Sequence, residues 1–185
     1  MKKLIILVSA VALSSTMFAQ KATTDNPYSL EGAVNFTGSE GMTWKAPDVR
    51  LRYFFKDNLA ARVTLGYTST SEEDYDVSAS SIGLGVEYHL AGNDKMSPYF
   101  AGGLAFGSGS ETTTILDETF TSKGSSLSFG IVAGLDYYVT ENLYLGLEIG
   151  LVKYASATSG EGAEKETTSG INLGGGSSIR MGWRF

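Results

Sequence analysis

The chain has 185 residues, enough for one domain, and it contains no cysteine, which excludes disulfides and thiolate metal sites. Its formal net charge of −6 at pH 7 argues against nucleic acid as a partner. Glycine is frequent, with 23 residues, whereas only 3 prolines occur, and this balance is typical of strands joined by polar connections.

The N-terminus has the pattern of a secretory signal. Lys2 and Lys3 precede an apolar run over residues 4–13, and small residues follow it. An apolar run of this length is too short to cross a bilayer as a helix, which disfavours an N-terminal membrane anchor. We therefore predict a cleaved signal peptide over residues 1–19.

Eight segments of alternating apolar and polar residues follow, and strict period-two alternation predicts half-buried strands. The segments cover about residues 28–36, 44–55, 59–67, 82–90, 98–107, 127–139, 143–154 and 170–185. Short polar turns are predicted at residues 56–58, 91–97 and 140–142. Longer polar loops are predicted at residues 68–77, 108–125 and 155–169. In the fifth segment, which alternates least clearly, we expect Phe100, Leu104 and Phe106 to face outward.

The hairpin from Leu127 to Tyr154 indicates what the apolar faces are buried against. Its odd-numbered positions are apolar over residues 127–139 and 143–151, whereas its even-numbered positions are mostly Gly, Ser and Tyr, with one carboxylate per strand, Asp136 and Glu148. Such a face is a poor water-facing surface but suits the inside of a narrow barrel. The apolar face is long and uncharged, as a lipid-facing surface should be, and each arm reaches the roughly 9–11 residues of a transmembrane strand.

The predicted fold class is all-β, an eight-stranded antiparallel up-and-down transmembrane β-barrel over residues 20–185. The short turns fall at one end of the strands and the long loops, apart from a short first one, at the other. Outer-membrane barrels keep their short turns in the periplasm, and an even strand number leaves both termini there. We therefore predict an outer-membrane protein of a Gram-negative cell envelope, with extracellular loops and periplasmic termini.

The chain resembles the small eight-stranded outer-membrane barrels of the OmpA and OmpX type. The residues that carry the resemblance are the eight alternating segments, Ser97-Pro98-Tyr99 and the C-terminal series Ile179, Met181, Trp183 and Phe185. That series is similar to the signal read by the barrel assembly machinery, so the resemblance implies this machinery as a partner during biogenesis. OmpA continues into a peptidoglycan-binding domain, and here we expect the barrel alone.

Charged side chains are predicted to face the lumen and are the main candidate site. Together with His89, they are Glu31, Arg50, Arg52, Arg62, Glu87, Asp136, Glu148, Arg180 and Arg184. If the turn at residues 56–58 pairs Phe55 with Leu59, Arg52 lies directly opposite Arg62, which is destabilising unless acids such as Glu31 and Glu87 neutralise them. Two interpretations stay open: a lumen plugged by ion-paired side chains, or a small gated, porin-like channel.

An enzyme is a further alternative, because some small outer-membrane barrels modify lipid A. Acyl transfer or hydrolysis normally needs a Ser–His pair, and the single histidine, His89, is expected to be a member of the plug. We therefore predict no enzyme and no cofactor. A soluble ligand-binding barrel in the periplasm is the remaining alternative.

The predicted long loops are acidic, and carboxylates are ligands for hard cations. None of these loops has an ordered ligand spacing such as D-x-D-x-D-G, so we predict no metal site and solvated loops. The predicted partners are outer-membrane lipid and lipopolysaccharide. The protein is expected to be a monomer, and an unknown extracellular partner that binds through the loops is left open.

Overall fold

A computed structural model describes residues 24–37, 41–115, 118–161, 164–174 and 176–185. The predicted signal peptide lies outside these ranges. Within them the strands are β1 (Tyr28–Thr37), β2 (Gly41–Lys56), β3 (Leu59–Glu72), β4 (Tyr75–His89), β5 (Met96–Ile115), β6 (Glu118–Tyr138), β7 (Leu143–Glu161), β8 (Glu164–Leu173) and β9 (Ser177–Arg184). In the described ranges, no helix has the length and apolar character needed to span a membrane.

The strands form a closed antiparallel ring. Each strand from β1 to β7 pairs with the next, and β9 closes the ring between β7 and β1. The predicted last strand is divided into β8, which pairs with the later half of β7, and β9, which pairs with its earlier half. β8 and β9 share one strand position in the ring, so the barrel has eight strand positions. The predicted eight-stranded barrel is therefore confirmed.

The division between β8 and β9 occurs at two glycines with left-handed backbone angles. Gly174 has φ +66° and Gly176 has φ +76°, a region that L-residues with a side chain rarely adopt. Gly174 N donates to Leu151 O at 2.8 Å, and Gly150 N donates to Gly176 O at 2.9 Å, so both pieces stay attached to β7. The alternation predicts one strand over residues 170–185, and the interruption at these glycines corrects that prediction.

The apolar faces of the strands point away from the lumen. Phe129, Leu145 and Ile149 are 43%, 42% and 50% exposed, whereas Arg52 and Asp136 are fully buried. A water-soluble sandwich or barrel would have the opposite arrangement, with its apolar side chains inside. The expected outward facing of β5 is confirmed as well, since Phe100, Leu104 and Phe106 are all about half exposed.

The predicted long loops are wrong, because most of their residues continue the β-ladder. β3 and β4 pair as far as Glu72 and Tyr75, β5 and β6 as far as Ile115 and Glu118, and β7 and β8 as far as Glu161 and Glu164. These extensions are rich in Ser and Thr, and a ladder of backbone hydrogen bonds does not require an apolar face. Apolar alternation therefore marked only the lipid-facing part of each strand.

A bulge in β7 reverses the facing of its last part. Ile131 pairs with Val152 and Val132 pairs with Gly150, which leaves Leu151 as an additional residue on β7. The alternation in the sequence predicts that even positions face inward as far as Val152. Beyond the bulge, Tyr154 instead shares the outward face with its partner Phe129 and is 40% exposed.

The ring is complete only along part of its height. β3 pairs with β2 up to Leu65, and its remaining residues pair on one side, with β4. Among the described residues, β8 contacts no strand but β7. β1 and β2, which lie between them in the ring, turn back early, at Thr37 and Gly41. Among the described residues, the part of the wall beyond these ends is therefore a six-stranded sheet from β3 to β8, here called the upper wall, with β3 and β8 as its edge strands.

Candidate functional site: the charge network of the lumen

Glycines make room for the large side chains that fill the lumen. Tyr99 lies over Gly134, its partner on β6, and Tyr144 lies over Gly182, its partner on β9. A Cβ atom at either glycine would overlap the tyrosine ring. The Arg180 guanidinium lies in the same way beside Gly146. The even positions that looked merely small in the sequence are therefore the sites over which inward aromatic and guanidinium groups lie.

Arg52 on β2 is the centre of the network. Its Nη1 lies 2.6 Å from Glu31 Oε1 on the neighbouring strand β1. Its Nη2 lies 2.7 Å from both Glu87 Oε2 on β4 and Asp136 Oδ2 on β6. The side chains of Arg52 and all three acids are fully buried. One guanidinium therefore connects four strands, β1, β2, β4 and β6, across the lumen.

Arg180 on β9 binds two of the same acids from the other side. Its Nη1 lies 2.5 Å from Glu31 Oε2, and its Nη2 lies 3.4 Å from Asp136 Oδ1. Its Nη2 also contacts the Tyr99 hydroxyl. Glu31 and Asp136 are each shared between Arg52 and Arg180, so removal of one arginine leaves both acids with a remaining partner.

Glu148 on β7 forms a second group of ion pairs. Its Oε2 lies 3.1 Å from Arg50 Nη2, and its Oε1 lies 2.7 Å from Arg62 Nη1. The Tyr99 hydroxyl donates to Glu148 Oε1 at 3.2 Å. These arginines are slightly exposed, with 12% and 11% of their side-chain surface accessible, so this group lies at the boundary of the plug.

Arg52 and Arg62 are directly opposite each other on β2 and β3, as expected. The turn differs from the prediction, because Lys56 rather than Phe55 pairs with Leu59. The two guanidinium groups bind largely different acids: Arg62 binds Glu148 and, at 3.3 Å, Glu87, whereas Glu31 bonds to Arg52. Acids from distant strands therefore remove the like-charge repulsion.

The ion pairs balance in charge. Four acids take part in them, Glu31, Glu87, Asp136 and Glu148, and four arginines, Arg50, Arg52, Arg62 and Arg180. The fifth predicted arginine, Arg184, is also buried, and its guanidinium lies 5.9 Å from the centre of the Tyr138 ring. A buried charge is tolerated when it is paired and hydrogen-bonded, and this balance meets that condition.

Uncharged side chains also belong to the network, and they are not among the predicted site residues. The Tyr144 hydroxyl lies 2.7 Å from Glu31 Oε1 and 2.9 Å from Ser29 Oγ. Tyr99 touches both groups of ion pairs through Arg180 and Glu148. Both tyrosines occupy inward positions of their strands, so an aromatic residue with a hydroxyl at an inward position was the signal that could have revealed them.

His89 lies at the edge of the network beside a buried serine. Its Nδ1 is 2.8 Å from Ser97 Oγ, and its Nε2 is 3.2 Å from Glu87 Oε2. This succession of Ser, His and Glu has the order of groups that activates a serine nucleophile. Ser97 is fully buried, however, and Glu87 is held in an ion pair by Arg52, so a substrate does not reach the hydroxyl in this conformation.

The lumen opens beyond the network. A cavity of about 420 Å³ lies within the upper wall, lined by small residues such as Gly66, Ser81, Gly107 and Ser126. A second cavity of about 290 Å³ reaches down to Arg62 and contains Lys153. Among the described residues, no group of three or more potential metal ligands is placed to bind an ion. The barrel therefore has an open vestibule above a closed charge network.

Family comparison agrees with this architecture. The model of the outer membrane protein beta-barrel domain family matches residues 6–185. The chain belongs to this family. The barrel is accordingly an outer-membrane β-barrel protein, and the apolar belt is its lipid-facing surface.

Solved structures of outer-membrane barrels share the fold. A major outer membrane protein from Thermus thermophilus is 13% identical with a TM-score of 0.53, over 86% of this chain and 98% of that one. The outer membrane protein AlkL is 12% identical with a TM-score of 0.51, over 94% and 97%. The N-terminal barrel of Pseudomonas aeruginosa OprF is 18% identical with a TM-score of 0.49, over 86% and 98%. At these identities the likeness to the Thermus protein and to AlkL is one of fold. No curated protein matches the sequence.

Proposed function

We propose that this outer-membrane barrel is a non-enzymatic protein with a plugged lumen and a structural or surface-interaction role. In this proposal the short turns and both termini lie in the periplasm, and the long Ser/Thr-rich hairpins lie outside the cell. The observation that carries the proposal is the position of Arg52, which bonds to Glu31, Glu87 and Asp136 on three other strands.

The energetics of the network favour a closed lumen. A permeant ion could pass only if these ion pairs separated. Separation would leave buried charges without partners, and removing one partner of a buried pair costs about 3–5 kcal/mol. The closed state is therefore the resting state in this proposal.

A small channel is the second candidate, favoured by the vestibule. The open cavity descends to Arg62 and Lys153, and below it the network and buried side chains such as Phe54 and Tyr138 separate it from the periplasmic end. Planar-bilayer conductance of the purified protein tests the two candidates. We expect no conductance above that of protein-free membranes, whereas reproducible single-channel steps would favour the channel and contradict the plug.

Arg52→Ser is the matched variant for this experiment, because it removes the central guanidinium. If the plug is correct, the variant conducts more than the wild type, provided that heat-modifiable gel mobility confirms its folding. Lys56→Ser, at the exposed end of the same strand as Arg52, is the matched control variant.

The absence of enzyme activity has its own test. The proposal predicts that lipid A from cells expressing the protein has the same mass spectrum as lipid A from cells without it. A mass change that disappears with His89→Ala would instead assign catalysis to the His89–Ser97 pair.

The edge strands of the upper wall support a role in surface interaction. Within the described ranges, the later part of β3 and the whole of β8 each have a pairing strand on one side, and extended polypeptides bind such edges by adding a strand. The proposed partners remain outer-membrane lipid and lipopolysaccharide, the assembly machinery during biogenesis, and an extracellular partner at the hairpins. Membrane fractionation with heat-modifiable mobility tests the location, and recovery in the soluble periplasmic fraction would contradict it.

A further inference from the structure

Two lysines and a glycine form one row across the outer surface of the upper wall. Lys123 on β6 pairs with Gly160 on β7, and Gly160 pairs with Lys165 on β8. A second row of paired residues, Phe129, Tyr154 and Ile171, lies six residues away along the same three strands, in the direction of the lipid-facing apolar side chains. A separation of six residues preserves the facing of a strand.

That lower row fixes the facing of the lysines. Phe129, Tyr154 and Ile171 are 43%, 40% and 69% exposed on the outside of the barrel. Both lysines are exposed as well. Lys123 and Lys165 therefore point away from the vestibule, on the same side as the lipid-facing belt.

The glycine leaves a slot between the lysines. Neighbouring strands are about 4.8 Å apart, so the two lysine Cα atoms are separated by about 10 Å. Gly160 has φ +138° and no side chain to fill the space. A groove of about 650 Å³ opens here, lined also by Thr121, Ser125 and Thr158. Flexible lysine stems of this length can bring both ammonium groups onto one anion in the slot.

Among the side chains that the structure describes, the acids next to the lysine row face the other way. Glu111 pairs with Ser122 and Glu166 pairs with Ser159, so each acid occupies the position adjoining the lysine row, on the vestibule side. Asp76 shares the outward face, but it lies on β4, two strands from β6, and contacts Ser71. The slot is therefore a positive surface on a protein whose formal net charge is −6.

Exposed apolar side chains lie directly below the slot. Ile171 and Leu173 are 69% and 78% exposed, and Thr167 and Ser169 separate them from Lys165 along the outward face of β8. With a rise of about 3.3 Å per residue and a strand tilt of about 40°, the slot lies roughly 15 Å above the row of Ile171. A molecule that spans this surface has acyl chains at one end and an anionic group at the other.

We propose that Lys123 and Lys165 bind a phosphate group of an outer-leaflet lipid, in the slot over Gly160. The ammonium groups supply charge-assisted hydrogen bonds to the phosphate oxygens, and the hydroxyl groups of Ser125 and Thr158 supply further donors. The acyl chains of the same lipid pack against Ile171 and Leu173. This inference rests on the proposed orientation, in which the hairpins lie on the outer-leaflet side.

The test is binding of purified lipid A to the intact barrel, measured by native mass spectrometry from detergent. Lys123→Gln/Lys165→Gln is compared with Lys153→Gln, which removes a lysine that lines the vestibule. We expect the double variant to lose about thirtyfold in affinity for bisphosphorylated lipid A, since each of the two lysines near such a surface contributes about 1 kcal/mol, while Lys153→Gln retains the wild-type affinity. Dephosphorylated lipid A should bind the wild type as weakly as phosphorylated lipid A binds the double variant.

Two outcomes would overturn the inference. One is equal affinity of the wild type and the double variant for bisphosphorylated lipid A. The other is displacement of the lipid by millimolar inorganic phosphate, which would mean that the slot binds phosphate without the lipid. Heat-modifiable mobility of each variant verifies folding. If the protein fractionates with the outer membrane but its affinity for lipid A does not change when both lysines are replaced, only this inference is contradicted. The proposed function is not affected by that result.

Discussion

The ring of Tyr144 on β7 lies over Gly182 on β9, and its hydroxyl reaches Glu31 on β1. The glycine is necessary for this arrangement, because a Cβ atom at position 182 would overlap the ring. A residue near the C-terminus thus determines whether a tyrosine 38 positions earlier can bond to an acid in the first strand. This dependence connects the closure of the ring to the charge network inside it.

Gly182→Ala should destabilise the barrel by about 1–3 kcal/mol, because Tyr144 must move and lose its bonds to Glu31 and Ser29. The measurement is the midpoint of urea unfolding in lipid vesicles, followed by heat-modifiable mobility. Gly32→Ala is the matched control, since a Cβ atom there meets nothing within 4 Å. Equal stability of the two variants would mean that Tyr144 does not depend on Gly182.

Arg52→Ala should cost about 3–5 kcal/mol of folding free energy, because it takes a shared cation away from Glu31, Glu87 and Asp136. Lys56→Ala, at the exposed end of the same strand, should change the free energy by less than about 0.5 kcal/mol. Equilibrium unfolding of both variants in vesicles compares them. A small effect of Arg52→Ala would show that the acids are stabilised without it.

The break between β8 and β9 depends on a left-handed residue. Gly174→Ala should lower stability by about 1–2 kcal/mol through the backbone alone, since no atom lies within 4 Å of the added Cβ. Gly174→Asn should cost less, because Asn tolerates this conformation better than Ala does. Thermal unfolding of the two variants provides the comparison, and the reverse order of stability would contradict the backbone explanation.

Whether the outward apolar side chains contact lipid can be tested by placing one arginine at either of two positions along β4. Leu84→Arg places a charge among the lipid-facing side chains and should cost about 2–4 kcal/mol, whereas Ser80→Arg, on the same face but in the Ser-rich extension, should be tolerated. The fraction of each variant that inserts into vesicles measures the difference. Equal insertion would indicate that Leu84 does not face lipid.

The alternation in the sequence was sufficient to predict which side chains of most strands face outward. It was not sufficient to predict how long the strands are or where they are interrupted by bulges and breaks. Phe100, Leu145 and Ile149 face outward as their positions predicted, because facing is a local property of an extended chain. The Ser/Thr extensions were missed because their pairing needs only backbone groups. The bulge at Leu151 was missed because one additional residue leaves no mark on composition.

The sequence by itself determined that the protein is a barrel with an apolar exterior and a charged lumen, since side chains alternate along every strand. Only the tertiary structure decided which charges bond to each other. Glu31 bonds to Arg180, which lies 149 positions away, and Arg52 and Arg62 face each other yet bind largely different acids. Such partners depend on ring closure, on the stagger between strands and on the glycines that let Tyr99 and Tyr144 lie flat. None of these is a local property of the chain.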